Sequence, residues 1–468
     1  MKKDLQKFLV EPGFTLRQVM QKIDQNGYGV ALVVDSEEVM RGIVTDGDIR
    51  RAILAGTSLD IPIRKIMTTS LAALSPNYTS EQVAELMSQK LYRHIPVLEP
   101  SGKVWELLLT EDIHRLLQNS SSKLFAPQFR EQLQEQKRIL VVGGAGYIGS
   151  VLIRQLLGQG YSVKVLDKLV FGKSSLQEIM KHPRFTLIEG DTSHLGTVVS
   201  AVKQVDAVVH LAEIVGDPAC DLDPEKTQQM NYLSTALLAN VCRHFQVNRF
   251  IYASSCSVYG AGDDTSLLTE KSPLSPVSLY ARMKMESERA LLNMADGFFS
   301  PTILRLATVF GISPRMRFDL VVNTLTLRAI KENKIIIFGG EQWRPNVHVS
   351  DVARAIALVL EAPLPLVSKE IFNVGSNENN FTINQMGLQV QKLVPGASLI
   401  YPEKNVDARN YRVDSSKIKQ MLGFNAQMPL EQGILETAAA LRQGQYADHT
   451  HPVYYNDQWY GQQGKEQI

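Results

Sequence analysis

The run Gly143-Gly144-Ala145-Gly146-Tyr147-Ile148-Gly149 follows the apolar segment 138–142 and opens a helical pattern. Its spaced glycines, 143, 146 and 149, read G-x-x-G-x-x-G. Residues without a Cβ permit a tight turn here and let backbone amides approach a pyrophosphate. The helix N-terminus then faces the negative charge. The pattern therefore asks for a strand, a turn and a helix within a parallel sheet. Further apolar segments at 162–167, 185–189, 207–211, 250–254 and 302–307 alternate with helical ones. That alternation predicts an α/β chain with a doubly wound parallel sheet and right-handed crossovers. After about residue 310 the regularity falls, which fits a smaller C-terminal substrate-binding part.

Asp167 ends the second predicted strand. A carboxylate there accepts from both ribose hydroxyls of NAD and repels the 2′-phosphate of NADP. The adjacent Lys168 tempers that preference, since a cation tolerates the phosphate. Asp191 and Thr192 follow the third strand, where an adenine ring would lie. Leu211 and Ala212 close the fourth, where the cofactor crosses the sheet. With Gly143, Gly146, Tyr147, Ile148 and Gly149 they form the expected NAD site.

Ser255 lies at the end of the 250–254 strand, and Tyr280 and Lys284 follow on a predicted helix. Four residues apart, the tyrosine and lysine share one helix face. An ammonium and a cationic nicotinamide favour the phenolate over the phenol. Ser255 is placed to orient the same substrate oxygen. The three supply a proton acceptor, its electrostatic helper and an orienting hydroxyl beside a hydride acceptor.

The first 120 residues read differently. Thr15-Leu16-Arg17-Gln18 answers Thr79-Ser80-Glu81-Gln82, a period of about 64 residues. Each Thr is placed to cap a helix. The segment 29–35 answers 93–99, and 43–49 answers 108–113. A repeat this small cannot bury its sheet alone, so the copies should pair face to face. A polar stretch at 121–137 reads as a linker, the second unit spans 138–445, and 446–468 reads as a C-terminal tail.

Bulk composition excludes some partners. Lys plus Arg number 49 and Asp plus Glu 48, so no basic excess points to nucleic acid or an anionic membrane. No apolar run approaches a membrane span, and Met1 to Gln6 lacks the apolar stretch of a signal peptide. With three cysteines, a reducing, cytoplasmic setting is expected. No metal site is expected.

Two resemblances follow from these residues. The N-terminal repeats resemble a tandem pair of CBS motifs, an α+β module that commonly binds adenine nucleotides. There a Thr touches phosphate and an Asp three residues later holds the ribose hydroxyls. Thr45 and Asp48 match that pattern, which implies AMP, ADP or ATP as a ligand. Thr110 and Asp112 stand one residue too close, and Leu107 replaces the glycine that Gly42 supplies in the first copy. A purely structural, dimerising module is the alternative.

From about residue 137 onward the chain resembles the extended short-chain dehydrogenase/reductases, which have a Rossmann sheet. Within them it is most similar to the nucleotide-sugar epimerase/dehydratase branch. That resemblance implies Ser255, Tyr280 and Lys284 as catalytic residues and Asn231 as the asparagine that completes the site. It implies Thr308, where Asn is usual, as a substrate contact, and Asn323, Phe338 and Arg344 as contacts to the substrate nucleotide. Arg344 would grip a pyrophosphate, with Arg409 or Arg412 as a second contact. The loop Arg315-Met316-Arg317-Phe318 would line the same cleft or be exposed. Glu213 stands where the family often has a small residue, and would either reach the sugar or face water.

Related dehydratases carry Asp-Glu after the catalytic hydroxyl, where this chain has Cys256 and Ser257. Dehydration is therefore disfavoured. The expected activity is NAD-dependent 4-epimerisation of a nucleotide-diphosphate sugar by transient oxidation to a keto-sugar. The alternatives are a nucleotide-sugar reductase and a non-catalytic NAD sensor. A homodimer or higher homo-oligomer is expected from the family.

Overall fold

A computed structural model describes residues 4–54, 56–70, 72–89, 94–109, 112, 138–260, 267–297, 299–402 and 409–463. The expected linker 121–137 and Thr110 lie outside them. The chain divides into two compact units.

In the N-terminal unit, β1 (Leu9–Val10), β2 (Val30–Val34) and β3 (Met40–Thr45) form one sheet. β4 (His94–Leu98) and β5 (Val104–Leu109) form a second, antiparallel one. The helix α1 (Leu16–Asn26) starts on a reciprocal cap between Thr15 and Gln18. Thr79 and Gln82 repeat that cap ahead of α2 (Ser80–Gln89). The same N-terminal chemistry thus recurs at the repeat period. Phe8, Val30 and Leu32 from the first copy bury with Leu107 and Leu109 from the second. Each half covers the apolar face that the other cannot bury alone.

The second unit is built on seven parallel strands: β6 (Arg138–Val142), β7 (Ser162–Asp167), β8 (Phe185–Glu189), β9 (Ala207–His210), β10 (Arg249–Ser255), β11 (Ser300–Leu306) and β14 (Ile371–Val374). Their order in the sheet is β14-β11-β10-β9-β6-β7-β8. Six of them coincide with the apolar segments read from the sequence. β14 was not anticipated: its four residues sit in the irregular C-terminal half and pair with Ile303–Leu306. Strand order reverses between β6 and β9, which opens a crevice at their C-terminal ends. Leu140, Val142, Val208, Phe250 and Ile303 bury one face of the sheet against Leu238 and Leu291.

A smaller part covers the crevice. It contains β12 (Thr308–Phe310), β13 (Trp343–His348) and β15 (Asn380–Thr382) in one sheet. Phe310, Val322, Ile335, Met386 and Ile434 form its separate core. The stretch read as a C-terminal tail is instead folded onto this unit through residue 463. Tyr446 is buried and donates to the Ser313 carbonyl, and the Tyr454 carbonyl accepts from Phe318 N. A short helix, Asn456–Gln463, follows. Among the described residues, no helix is long and apolar enough to cross a membrane.

Candidate active site

A cleft of about 930 Å³ runs along the C-terminal ends of the strands and under the smaller part. Its first half is made by the glycine turn. Gly143 has φ 85°, a left-handed backbone that favours glycine. A Cβ on it would lie 2.6 Å from Ala212 N, and one on Gly149 would lie 2.4 Å from the Gly143 carbonyl oxygen. The turn and strand β9 therefore approach as closely as they do only because side chains are absent. Tyr147 and Ile148 open the helix α3 (Tyr147–Gly158), and its N-terminus faces the cleft beside Gly146. Asp167 ends β7 and accepts from Ala145 N and Leu169 N, each at 2.8 Å. Burial raises its carboxyl pKa, and these two amides and Arg315 oppose the rise. The open glycine cradle and the carboxylate at the strand end fit a dinucleotide with free ribose hydroxyls.

Lys168 is turned to Asp191 at 2.8 Å. Burial raises the Asp191 carboxyl, but Lys168 and Ser193 hold it at about 2. Asp191, expected to meet an adenine ring, does not line the cleft, whereas Thr192, Leu211 and Ala212 do. Asn231 does not line it either. Its side chain accepts from Ile214 N at 2.9 Å and donates to the Ile214 carbonyl at 2.8 Å, fixing the loop after β9.

Ser255 is the last residue of β10, and Tyr280 and Lys284 begin the helix α4 (Leu279–Met294), capped by Ser278. The Ser255 hydroxyl hydrogen-bonds Tyr280, and all three residues line the cleft. Burial pushes the Tyr280 phenol far up, Glu213 adds to the rise, and Ser255 and Arg317 oppose it. The expected lowering of its pKa by Lys284 is not what the geometry gives, because Lys284 Nζ lies 2.8 Å from the Glu213 carboxylate. Glu213 neither faces water nor stands alone: its side chain is 1% exposed and accepts from Tyr252 at 2.6 Å.

The substrate-side residues separate into two groups. Ser257, Thr308, Phe338, Arg344 and Arg409 line the cleft. Cys256 and Asn323 do not. The Cys256 thiol donates to the Arg305 carbonyl at 3.3 Å, and burial pushes its pKa up, so it packs as a core thiol. Asn323 accepts from Gly311 N and donates to Tyr147 and to the Arg317 carbonyl. Of the two arginines considered for a second phosphate contact, Arg409 lines the cleft, while Arg412 stacks over Trp343 at 4.8 Å. Arg409 pairs with Asp217 at 2.8 Å. The loop 315–318 alternates: Arg315 and Arg317 line the cleft, and Met316 and Phe318 enter a core cluster.

Several lining residues had no sequence signal. Asn456, Asp457 and Tyr460 come from the segment expected to be a tail. Asn456 donates to the Val215 carbonyl and accepts from Arg315, and Trp459 donates to the Val170 carbonyl. Arg315 lies over the Phe171 ring at 3.7 Å, and Tyr460 meets the same ring edge-on. The segment thus ties the loop after β7 to the loop after β9 across the cleft. Only its local aromatic content, not any periodicity, distinguishes it in the sequence.

Residues 139–375 match the NAD dependent epimerase/dehydratase family, and residues 1–55 and 63–119 match the CBS domain. The chain is 27% identical over 338 residues to a UDP-glucuronic acid decarboxylase 1 of Danio rerio, covering 70% of this chain and 78% of that one. It is 28% identical over 320 residues to a UDP-glucose 4-epimerase of Bacillus subtilis (strain 168), covering 63% and 94%. Among solved structures, UDP-glucuronic acid 4-epimerase from Bacillus cereus, in complex with UDP-glucuronic acid and NAD, is 26% identical. It superposes with a TM-score of 0.60 over 65% of this chain and 99% of that one. UDP-glucose 4-epimerase from Thermotoga maritima, with UDP-glucose, is 28% identical with a TM-score of 0.60, over 66% and 99%. The chain belongs to the NAD dependent epimerase/dehydratase family, as an enzyme that carries a pair of CBS domains ahead of its catalytic unit.

Proposed function

We propose that the protein is a nucleotide-sugar 4-epimerase. The observation that carries this reading is the grouping of Ser255, Tyr280 and Lys284 on one wall of the cleft, with Cys256 buried and Ser257 in place of a dehydratase acid pair. Bound NAD supplies the hydride acceptor and returns the hydride. The residues do the rest. Tyr280, once ionised, takes the proton of the sugar 4-hydroxyl, and Ser255 orients that oxygen. The keto-sugar turns over in the cleft so that the other face of C4 meets the returning hydride, and Tyr280 gives its proton back to the 4-oxygen. No electron or proton is gained or lost overall. Arg344 and Arg409 are suited to the substrate pyrophosphate, since a guanidinium matches phosphate oxygens two at a time. Relatives named for UDP-sugars favour a uridine nucleotide.

The test is to incubate the full chain with UDP-, GDP-, CDP- and dTDP-hexoses and UDP-glucuronic acid, and to follow products by NMR. Interconversion of a C4 epimer pair is expected. Loss of carbon dioxide with a pentose product would make the protein a decarboxylase. Consumption of a keto-sugar only with NADH would make it a reductase.

Regulation by an adenine nucleotide is a further part of the reading. Asp48 accepts from both the Thr45 amide and its hydroxyl, at 2.8 and 2.7 Å, so the two residues expected to hold phosphate and ribose are already adjacent. Calorimetry of the full chain with AMP, ADP and ATP should give heat that Asp48→Ala abolishes. No heat would leave the N-terminal unit a structural one.

A further inference from the structure

Glu213 follows His210-Leu211-Ala212 and lines the cleft at the end of β9. One carboxylate oxygen lies 2.8 Å from Lys284 Nζ, and the other accepts from the Tyr252 hydroxyl at 2.6 Å. The Glu213 and Lys284 side chains are 1% and 5% exposed. Lys284 also donates to the Ala253 carbonyl and sits 4.7 Å from the Tyr252 ring centroid and 5.7 Å from that of Tyr280. A buried pair of this kind is coupled, because removing one member leaves the other charge uncompensated.

The surrounding groups leave this charge balance to Glu213. From β9, His210 is neutral, since burial and Lys284 push it down to about 3. From β10, Tyr252 is a phenol held well above its usual pKa by burial and by Glu213 itself. From the short helix Asp217–Asp221, burial and then Glu213 push the Cys220 thiol up to about 12, and Asp217 is paired with Arg409. Arg317, from the loop after β12, acts on Tyr280 but is itself paired with Asp319 at 2.9 Å. Burial raises the Glu213 carboxyl, and Lys284 and Tyr252 oppose that rise. Both contacts favour the ionised form.

We propose that Glu213 is a positioning residue that serves as the counter-ion of Lys284, keeping Tyr280 a phenol in the resting site and favouring the oxidised, charged nicotinamide over the reduced one. This rests on the reading of Tyr280 and Lys284 as the reacting centre. The oxidised ring carries a positive charge and the reduced ring carries none. A carboxylate in a low-dielectric cleft therefore stabilises only the first. Without Glu213 the lysine leaves a net positive charge that disfavours the oxidised ring and lowers the tyrosine pKa.

The experiment measures dissociation constants of NAD+ and NADH on the full chain freed of cofactor, for wild type, Glu213→Gln and Glu213→Asp. In Glu213→Gln the ratio of the NAD+ to the NADH constant should rise on the order of tenfold. The phenolate absorbance lost in Tyr280→Phe should appear at lower pH. Glu213→Asp keeps the charge and should stay near wild type; a Gln-like ratio there would assign the effect to side-chain length and overturn the proposal. An unchanged ratio in Glu213→Gln would also overturn it. If Glu213→Gln does not fold, Tyr252→Phe should move the ratio the same way by less, and no movement counts against the proposal. These readouts need no turnover. Failure of the Tyr280 reading would appear separately, as activity surviving in Tyr280→Phe.

Discussion

The indole nitrogen of Trp459 donates to the Val170 carbonyl at 2.8 Å, joining segments 289 residues apart across the mouth of the dinucleotide cleft. Together with Asn456 on Val215, this makes the C-terminal segment an outer wall of the cleft, on the side proposed to hold NAD. Ending the chain after residue 450 should leave a folded protein that loses NAD during gel filtration, with a release rate raised by about tenfold or more, the effect of losing one or two good hydrogen bonds. Retention of NAD by the shortened chain would contradict this role.

Replacing Tyr280 by Phe removes the hydroxyl proposed as the proton acceptor and leaves the ring packing. Turnover should fall by about 10²–10⁴-fold, with NAD binding kept. Unchanged turnover would remove Tyr280 from the chemistry.

Asp167 presents a carboxylate beside the glycine turn while accepting from two backbone amides. In Asp167→Asn, the preference for NAD over NADP should fall by about tenfold, because the repulsion of a 2′-phosphate is lost. Competition binding with the two dinucleotides reads this directly.

Arg305 and Glu288 form a buried pair at 2.7 Å, with exposures of 3% and 2%. Glu288 also accepts from Ser254, and Arg305 donates to Tyr259. Glu288→Ala strands the guanidinium and should destabilise the catalytic unit by about 3–5 kcal/mol. A marked drop in melting temperature is the expected reading.

The pairing of Asp191 with Lys168 has a pH signature. A carboxyl lowered from 3.8 to about 2 by folding contributes stability above its unfolded value, which is lost as pH falls through the folded one. The stability difference between wild type and Asp191→Asn should thus be full above pH 4 and fade toward pH 2, as followed by denaturant unfolding.

The sequence carried the parts of this site that depend on local spacing. The glycine turn, the pair Tyr280 and Lys284, and the caps at Thr15 and Thr79 are short-range patterns with a direct physical cause. The side a residue faces is a different matter. Cys256 and Ser257 are neighbours, yet one enters the core and the other the cleft, and only the turn after β10 decides which. Asn323 looked like a substrate contact but bonds a backbone amide that tertiary packing brings to it. Glu213 meets Lys284 across 71 positions of chain, and the tail reaches Val170 across far more. Four-residue β14 has too few positions for any period to show. These features depend on long-range closure.

The most direct test of the account follows the hydrogen on C4. A substrate found in the NMR panel is prepared with deuterium at C4 and converted in ordinary water. Transient oxidation and return within one cleft predict that the product keeps the deuterium at C4, and that a reaction run in heavy water adds none there. Loss of the label to solvent, or solvent deuterium at the inverted carbon, would contradict the mechanism.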